Sequence, residues 1–432
     1  MKKKGKDPKM KKKIILVASL LAVLCLLSSC MMVPASVLES MFGSGTGSGY
    51  TAPEKPAVTG GSDQVTVSRS EYERLLRFSE LADLYDMAQG YFYKEPDTKQ
   101  MLEYAERGLL AGLDDPYTFY YSPDEFSQMW EEDEGNYVGI GVMILADGRT
   151  GICVITRVFK GSPAEAAGVM RGDILYRVGE DLYVTDENLT EAVNIMRGEP
   201  GTSVDVTFIR NDEEITFNIM RQEVNVNQVE STLLEDGIGY IAMYQFAGEA
   251  DAEFRDALND LLNQGAKAVI IDLRDNTGGW VEQARVIADL FMDDGELCYL
   301  VFRDGEEEHG YRTKNGKTDA AITILVNEMT ASSSEILTGA LRDCANATVV
   351  GTQTFGKGIV QNVLPLGESG AGFQITVAEY FTPAGNKVHE VGITPDIVVE
   401  RPEGDSGTYD FADLENDIQL KTALEATREK LK

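Results

Sequence analysis

Histidine is almost absent from this sequence, which has 432 residues and only two histidines. His309 lies in the acidic segment RDGEEEHGYR, which predicts a turn, and His389 lies in KVHEVGI. Neither setting is that of the general base in a Ser-His-Asp triad, where a third group orients the imidazole. A general base in this chain is therefore expected from another residue type.

Positive charge is also scarce, because 39 Lys and Arg stand against 71 Asp and Glu, for a formal net charge of −32. Binding to nucleic-acid phosphates needs a surplus of cationic side chains, so this composition excludes a nucleic-acid partner. The basic region is residues 1–29, which hold eight Lys and one acid, Asp7.

Cysteine shows no pattern of a metal or redox site. Outside the first 30 residues only Cys153, Cys298 and Cys344 remain, without a CxxC pair or metal-ligand spacing. At most one disulfide can form, and the apolar segments GICVITRV and ELCYLVF favour buried thiols at Cys153 and Cys298. We therefore predict that the protein uses no metal and no cofactor.

The N-terminus predicts export. The Lys-rich head precedes an apolar run from Ile14 to Leu27, which is short for a spanning helix and is typical of a signal sequence. The segment Leu27-Ser28-Ser29-Cys30 has the pattern of a lipoprotein cleavage site, with Cys30 as the acylated residue. The alternatives are an uncleaved signal anchor extended through Val33 and a cleaved, freely secreted chain. In both tethered forms the catalytic part lies on the extracytoplasmic side of the cell membrane.

The predicted export signal or membrane anchor comprises residues 1–30, and two regions follow it. Residues 31–66 are rich in Gly, Ser and Pro and predict a flexible tether. Residues 67–130 are predicted to be an N-terminal helical region, because apolar side chains recur mostly at three- and four-residue steps over residues 67–113, as in amphipathic helices. These N-terminal helices are also the candidate surface for a homodimer.

The remaining chain divides into a β-rich region, an α/β core and a tail. Short β-like runs and one helical stretch, Asn188 to Met196, occupy residues 131–221. Apolar strands then alternate with helices over residues 222–401, which indicates buried parallel strands. Residues 402–432 predict an acidic loop and a helix near Asp417 to Lys430. Helices within the core are predicted at 249–264, 280–291 and 335–345.

A serine cluster opens the last of those core helices. In Ala331-Ser332-Ser333-Ser334-Glu335, the Ser332 and Glu335 pair matches an S-x-x-E capping box, which is usually only a helix start. The alternative is a nucleophile, and this segment alone does not decide between the two.

Lys357 strengthens the catalytic interpretation. It lies between Gly356 and Gly358 in TFGKGIVQ, a segment otherwise poor in charge. The glycines let the backbone approach another group closely, and burial disfavours the charged ammonium form. A neutral amine can take a proton from a serine hydroxyl and later return it to the leaving amine.

A third segment supplies candidate oxyanion donors. Residues 271–280, IDLRDNTGGW, predict a buried strand that ends in Gly278 and Gly279 before a helix. The backbone N–H of either glycine, together with that of Ser333 at a helix start, could bind the oxygen of a tetrahedral intermediate. An ordinary tight turn is the alternative.

Seven motifs along the chain resemble those of the C-terminal processing peptidases, the tail-specific Ser/Lys protease family. The resemblance covers about Leu81 to Leu424. The motifs are LDDPYTFYYSPDEF (113–126), YVGIGV (137–142), GSPAEAAGVMRGDIL (161–175), DLRDNTGG (272–279), SSSEI (332–336), TFGKGIVQ (354–361) and GITPDI (392–397). It implies a serine-type endopeptidase whose Clp protease/crotonase-like α/β core follows a PDZ domain and an N-terminal helical segment.

The resemblance also implies residue roles. Ser332 matches the nucleophile, Lys357, 25 residues later, the general base, and Gln361 the residue that orients the lysine. Glu335 matches a nearby carboxylate that we interpret as mainly structural. The family motif usually reads S-A-S-E and here reads S-S-S-E, so the register depends on the distance to Lys357, and Ser334 is the alternative nucleophile.

The PDZ-like region implies the class of substrate. In Val138-Gly139-Ile140-Gly141-Val142, the two glycines free backbone N–H groups to bind a terminal carboxylate, and the next strand can pair with the substrate tail. A glycine-rich β-turn is the alternative. We expect partners that are proteins or unfolded polypeptides with free C-termini, and family members prefer small, apolar terminal residues.

Two other functions fit parts of the sequence. A noncatalytic PDZ scaffold or chaperone of the cell envelope would have lost Ser332 or Lys357, and both are present. An acyl-CoA enzyme of the related crotonase-like architecture would need neither a PDZ domain nor an export signal.

Overall fold

The computed structural model describes residues 32–34, 66–133, 136–147, 151–314, 318–402 and 411–432. The predicted export signal, the candidate lipidation site Cys30 and most of the predicted tether lie outside these residues. Within the described part of the chain, no helix combines the length and hydropathy needed to cross a bilayer. The chain forms two compact units, one containing Ser127–Asn362 and Thr376–Lys432, the other Pro34–Phe126 and Val363–Ile375.

The N-terminal elements are helical, as the apolar spacing predicts. They are β1 (Met32–Pro34), α1 (Arg69–Leu76), α2 (Ser79–Tyr91), α3 (Thr98–Ala111), β2 (Phe119–Tyr121) and α4 (Pro123–Asp133). Side chains of Ser68 and Asp97 accept backbone hydrogen bonds in the first turns of α1 and α3, which fixes where both helices begin. No side chain of α1, α2 or α3 is buried, so their apolar faces are open to solvent.

The next region is a β-structure with two helices. Its elements are β3 (Asn136–Gly139), β4 (Val142–Asp147), β5 (Ile152–Val158), α5 (Pro163–Ala167), β6 (Ile174–Val178), β7 (Leu182–Tyr183), α6 (Leu189–Met196), β8 (Ser203–Arg210), β9 (Glu213–Met220) and β10 (Gln222–Asn225). An antiparallel sheet has the order β4-β5-β6-β8-β9, and β10 pairs with β3. A 3-10 turn, Asp186–Asn188, precedes α6. Alternate residues of β5 and β8 face a core that includes Ile155, Val206 and Phe208.

The α/β core follows. Its elements are β11 (Val229–Leu233), β12 (Ile238–Met243), α7 (Ala250–Asn263), β13 (Ala268–Asp272), α8 (Val281–Asp289), β14 (Glu296–Phe302), β15 (Glu307–Arg312), β16 (Ala321–Val326), α9 (Ser333–Ala345), β17 (Thr348–Gly351), β18 (Ile359–Pro365), β19 (Gly372–Phe381), β20 (Ile397–Val398) and α10 (Ile418–Lys430). The 3-10 turn Glu235–Gly237 leads into β12.

The central sheet has the order β11-β12-β13-β16-β17-β20, and all its pairs are parallel except β11 with β12. Every residue of β12 and β13 is buried, as fully apolar runs predict for parallel strands covered on both faces. The segments after β13 and β16 leave the same edge of this sheet, which brings residues 273–280 beside residues 327–332.

A second sheet has the order β1-β18-β19-β14-β15, with β2 paired to β19. It corrects one sequence-based expectation, because His309 lies within β15 and not in a turn. The two glycines of RDGEEEHGYR suggested a turn at His309. The turn between β14 and β15 lies earlier, at Gly305, and His309 is part of the strand that follows it.

Candidate active site

Ser332 occupies a sharp bend between β16 and α9. Its backbone angles are φ 59° and ψ −122°, a region that residues with a side chain rarely adopt, and an ordinary N-cap residue is extended instead. The residue is fully buried, and its hydroxyl oxygen is among the buried polar atoms without a hydrogen-bond partner in the described structure. A strained backbone therefore presents a hydroxyl that faces the first turn of α9, in capping-box position, without forming a hydrogen bond in the described structure.

The two neighbouring serines differ from Ser332 in this respect. The Ser333 hydroxyl donates to the Gly279 carbonyl oxygen at 2.7 Å, and the Ser334 hydroxyl donates to the Asn276 carbonyl oxygen at 3.0 Å. All three side chains are buried. Of the three hydroxyls, that of Ser332 is the one left for chemistry, whereas Ser334 has a structural contact.

Lys357 is buried in the segment that precedes β18, with 1% of the residue exposed. The flanking glycines allow this burial. A β-carbon at Gly358 would lie 2.1 Å from the backbone nitrogen of His389, and one at Gly356, where φ is 87°, would lie 2.9 Å from that of Gly392. Only glycine lets the lysine segment pack this closely against residues 389–392.

The Glu335 carboxylate joins the serine and lysine segments. One oxygen accepts backbone N–H bonds from Ser332 at 3.0 Å and Lys357 at 2.9 Å. The other accepts the Thr354 hydroxyl at 2.5 Å and the Gly356 N–H at 2.8 Å. Burial raises the pKa of Glu335, and these four donors oppose that shift. Because one oxygen binds both backbones, Ser332 and Lys357 are held side by side.

Tyr380 adds a second link that the sequence did not reveal. Its hydroxyl donates to the Ser332 carbonyl oxygen at 3.2 Å, and its backbone N–H donates to the Gly358 carbonyl oxygen at 2.9 Å. Complete burial, followed by the nearby Glu335 charge, raises the pKa of Tyr380 well above its ordinary value. The phenol is therefore a neutral donor that supports the bend at Ser332.

The predicted oxyanion segment lies directly against the serine bend. A β-carbon at Gly278 would lie 2.8 Å from Ser332 Cβ and 3.0 Å from the Ser333 nitrogen, and φ there is 104°. At Gly279 it would lie 2.1 Å from the Phe246 carbonyl oxygen. Both positions require glycine because the backbones approach so closely.

Asn276, another residue not predicted from sequence, organises that segment. Its side-chain amide donates to the Met243 carbonyl oxygen at 2.8 Å, and its Oδ1 accepts the Gly278 N–H at 2.9 Å. Of the three candidate oxyanion donors, Gly278 thus already has an internal acceptor. No hydrogen bond from the N–H of Gly279 or Ser333 is seen among the described residues.

Gln361 lies on β18, four residues after Lys357, and is fully buried. Its side-chain nitrogen donates to Thr376 Oγ1 at 3.2 Å, and its oxygen has no hydrogen-bond partner in the described structure. A buried acceptor without a partner is unusual and commonly has a functional reason.

The two histidines differ in position. His309 is half exposed, and its Nδ1 lies 2.7 Å from Glu296 Oε1, a contact that raises the pKa of the imidazole. The His389 backbone lies against Gly358, and its Nδ1 is buried without a hydrogen-bond partner in the described structure. Among the described residues, no hydrogen bond joins either imidazole to Ser332.

A buried ion-pair network lies at the end of β13. Arg274 binds Asp272 at 2.6 Å and Asp417 at 2.7 Å, and the Tyr240 hydroxyl donates to Asp272 at 2.7 Å. Asp417 also accepts the Leu420 N–H at 2.9 Å and so caps α10. The segment that leads to Gly278 is in this way tied to the C-terminal helix.

The predicted tail-binding turn connects β3 to β4. Gly141 has φ 86°, and a β-carbon there would lie 2.3 Å from Ser162 Cβ. The carbonyl oxygens of Ile140 and Gly141 accept N–H bonds from Ala164 at 2.8 Å and Phe159 at 3.1 Å. The turn is therefore fixed through its carbonyl groups, while Val138 and Val142 lie on the flanking strands.

Within the described ranges, no three His, Cys, Asp or Glu side chains cluster in a way that could hold a metal ion. Cys153 and Cys298 are buried and Cys344 is exposed, and all three are free thiols.

Comparison with known proteins gives both family matches and relatives. Peptidase family S41 matches residues 237–399, and the PDZ domain matches residues 136–220. A carboxyl-terminal-processing protease of Synechocystis is 34% identical over 367 residues, which cover 82% of this chain and 84% of the relative. A carboxy-terminal processing protease of Bacillus subtilis is 32% identical, with coverage of 76% and 70%. The structure titled photosystem II D1 C-terminal processing protease aligns with a TM-score of 0.51 and 28% identity, over 77% of this chain and 94% of that one.

Proposed function

Since this chain belongs to the carboxyl-terminal processing proteases of peptidase family S41 and is a serine-type protease with a PDZ domain, we propose that it cleaves proteins with Ser332 as nucleophile and Lys357 as general base. The observation that carries this proposal is the Ser332 hydroxyl, which is buried and has no hydrogen-bond partner in the described structure. The backbone at Ser332 is strained, and the Glu335 carboxylate joins it to the backbone of Lys357. Ser334 is disfavoured because its hydroxyl is bound to Asn276.

The proposed reaction has two halves. The Ser332 oxygen attacks the carbonyl carbon of the scissile bond while its proton passes to the Lys357 amine. When the tetrahedral intermediate collapses, the C–N bond breaks and Lys357 returns that proton to the leaving amine. Lys357 then takes a proton from water, whose oxygen attacks the acyl carbon. When this second intermediate collapses, the ester C–O bond breaks and Lys357 returns the proton to the Ser332 oxygen, which frees the carboxyl product and restores the enzyme. The Gln361 side-chain oxygen is the acceptor that we assign to orient the amine.

Charge develops on the carbonyl oxygen during both halves. We assign its stabilisation to the N–H groups of Gly279 and Ser333, since the Gly278 N–H donates to Asn276. Loss of one such donor typically lowers the rate about 100- to 1,000-fold. Tyr380 and Glu335 act as positioning residues, because their contacts are to backbone atoms of the two catalytic segments.

Substrate capture is assigned to the PDZ domain. The turn from Val138 to Val142 is fixed through the carbonyl groups of Ile140 and Gly141. Its N–H groups are suited to a terminal carboxylate, and β4 beside it can pair with an extended tail. We therefore propose substrates that are unfolded polypeptides with free C-termini.

The proposed place of action is the extracytoplasmic side of the cell membrane. Support comes from the Lys-rich head, the apolar run and the lipoprotein-like site at Cys30. We also propose a homodimer through α1, α2 and α3, since large apolar side chains such as Leu84, Tyr91 and Leu109 are 63%, 85% and 66% exposed.

Digestion of unfolded casein by the purified full-length chain tests this function. We expect cleavage that a metal chelator does not reduce, because no metal takes part in the proposed steps. Absence of cleavage, with casein bound intact, would support the noncatalytic scaffold instead. Cleavage that the chelator stops would require a different mechanism.

A further inference from the structure

Tyr137 lies directly on the turn to which we assign tail binding. It is on β3, two residues before Gly139, and its ring folds back over that glycine. A β-carbon at Gly139 would lie 2.8 Å from Tyr137 Cε2. Glycine at this position therefore gives the aromatic ring its place against the turn.

The Tyr137 hydroxyl faces the turn's own backbone. The backbone N–H groups of Val142 and Gly141 lie close enough to the phenol oxygen to lower the pKa of Tyr137. Burial raises the pKa of Tyr137 to about 12, while the Arg197 charge and these two N–H groups oppose the shift. At neutral pH a neutral hydroxyl thus occupies the donors that a terminal carboxylate would use.

Arg197 packs against the Tyr137 ring. Its guanidinium lies 5.3 Å from the centre of the Tyr137 ring, and its Cγ lies 3.8 Å from a β-carbon placed on Gly139. The backbone of Arg197 ends α6 and is fixed by a 2.8 Å hydrogen bond from Arg221 Nε to its carbonyl oxygen. A positively charged side chain on a fixed backbone position therefore lies beside the Tyr137 ring.

We propose that the Tyr137 hydroxyl is a displaceable internal occupant of the tail-binding turn, and that Arg197 is a binding residue for the terminal carboxylate of the substrate. This inference rests on the proposed tail recognition. When a tail arrives, its carboxylate replaces the phenol oxygen on the N–H groups of Gly141 and Val142, and Arg197 provides its counter-charge. An uncharged acceptor would bind these N–H groups and Arg197 less strongly than a carboxylate, so it would displace the phenol oxygen less readily. The turn therefore favours free C-termini over amides and internal segments.

Binding of a fluorescent, unstructured peptide that ends in two alanines tests the inference. The peptide is prepared as free acid and as amide, and its anisotropy is measured with the full-length chain carrying Ser332→Ala. Tyr137→Phe removes the competing oxygen, so the free acid should bind about 3- to 10-fold more tightly. Arg197→Gln should lower the preference for acid over amide roughly tenfold, and Arg197→Lys should retain much of it.

Two variants in the same domain serve as matched controls. Tyr183→Phe and Arg171→Gln change exposed residues on the PDZ domain and should leave both affinities unchanged. If the parent chain prefers the free acid, but Tyr137→Phe binds no more tightly and Arg197→Gln weakens acid and amide equally, the inference is overturned while tail recognition stands. If the parent chain binds acid and amide equally, tail recognition itself is wrong.

Discussion

At the scale of single residues, the two interpretations of the Ser332–Glu335 pair turn out to be compatible. Glu335 accepts the Ser332 N–H as a capping carboxylate does, while the serine hydroxyl has no hydrogen-bond partner in the described structure. The same carboxylate then binds the segment of Thr354, Gly356 and Lys357. One contact thus starts the helix and also shapes the bend at the proposed nucleophile, which explains why the local motif alone could not separate the two interpretations.

Glu335→Gln tests this positioning role. The amide nitrogen cannot accept hydrogen bonds, so two of the four groups that donate to the Glu335 carboxylate lose their acceptor. A buried donor without an acceptor costs about 1–3 kcal/mol. We expect casein cleavage to fall roughly 10- to 100-fold while the affinity for a free C-terminal tail is unchanged. Glu328→Gln, at an exposed carboxylate, is the control. Full activity of Glu335→Gln would remove this residue from the account.

At the scale of elements, local patterns predicted much of the core. The helices predicted at 249–264 and 335–345 appear as α7 (Ala250–Asn263) and α9 (Ser333–Ala345), since the spacing of their apolar side chains is a local property. The motifs that follow β13 and β16 were likewise visible as glycine and serine clusters after apolar runs. Features that depend only on neighbouring residues could therefore be predicted from the sequence.

Contacts made through tertiary pairing were not visible in this way. Tyr380 is 48 residues from Ser332 and reaches it through its place on β19, and nothing in its segment AEYF indicates a contact with the proposed nucleophile. Asn276 looked like one polar residue of a turn, although it fixes both Met243 and Gly278. His309 was predicted in a turn because charge and glycine dominate its neighbourhood, and strand pairing with β14 overrides that tendency.

Gly278→Ala tests the close approach of the β13 and β16 segments. A β-carbon would lie 2.8 Å from Ser332 Cβ and 2.9 Å from the Ala331 carbonyl oxygen, so the serine bend must move. We expect cleavage to fall at least about 100-fold, since a small displacement of reacting groups has effects of that size. Gly265→Ala is the control, because φ is also positive there and no atom lies within 4 Å of the new carbon. Equal activity of the two variants would contradict the proposed packing.

Asp417→Asn tests how α10 is attached to the core. Asparagine keeps an oxygen that can cap the helix at Leu420 but lacks the charge that binds Arg274. We expect urea unfolding to show a loss of about 1.5–3 kcal/mol, the usual contribution of a hydrogen bond to a charged group. Asp304→Asn, in an exposed turn, should change stability little. An unchanged midpoint for Asp417→Asn would show that the helix is held by its apolar face alone.

At the scale of the whole molecule, the PDZ domain and the α/β core lie in one compact unit. This arrangement suits a protease whose recognition and cleavage steps act on one polypeptide. The sequence predicted the order of the two domains because each carries its own motifs, whereas the exposure of α1, α2 and α3 is a property of the folded chain.

Gly141→Val tests recognition of the substrate's chain end. Valine is strained at φ 86°, and its β-carbon would overlap Ser162 Cβ, so the turn must deform. We expect a free-acid polypeptide to be cleaved at least about tenfold more slowly, which brings its rate near that of the amidated twin. Gly161→Ala is the control, since its φ is also positive and its new carbon meets no atom within 4 Å. If Gly141→Val retained the free-acid rate, the turn would not be the tail site.

The most direct test of the central claim is the initial rate of cleavage of one unfolded, free-acid polypeptide by wild type, Ser332→Ala, Lys357→Ala and Ser334→Ala measured side by side. Loss of the nucleophile or the base should reduce the rate to background with a stability change of no more than about 1 kcal/mol. Ser334→Ala should retain activity, because that hydroxyl binds Asn276 and takes no part in the proposed reaction. Cleavage at the wild-type rate by Ser332→Ala or Lys357→Ala, or its complete loss in Ser334→Ala alone, would contradict the Ser332–Lys357 assignment.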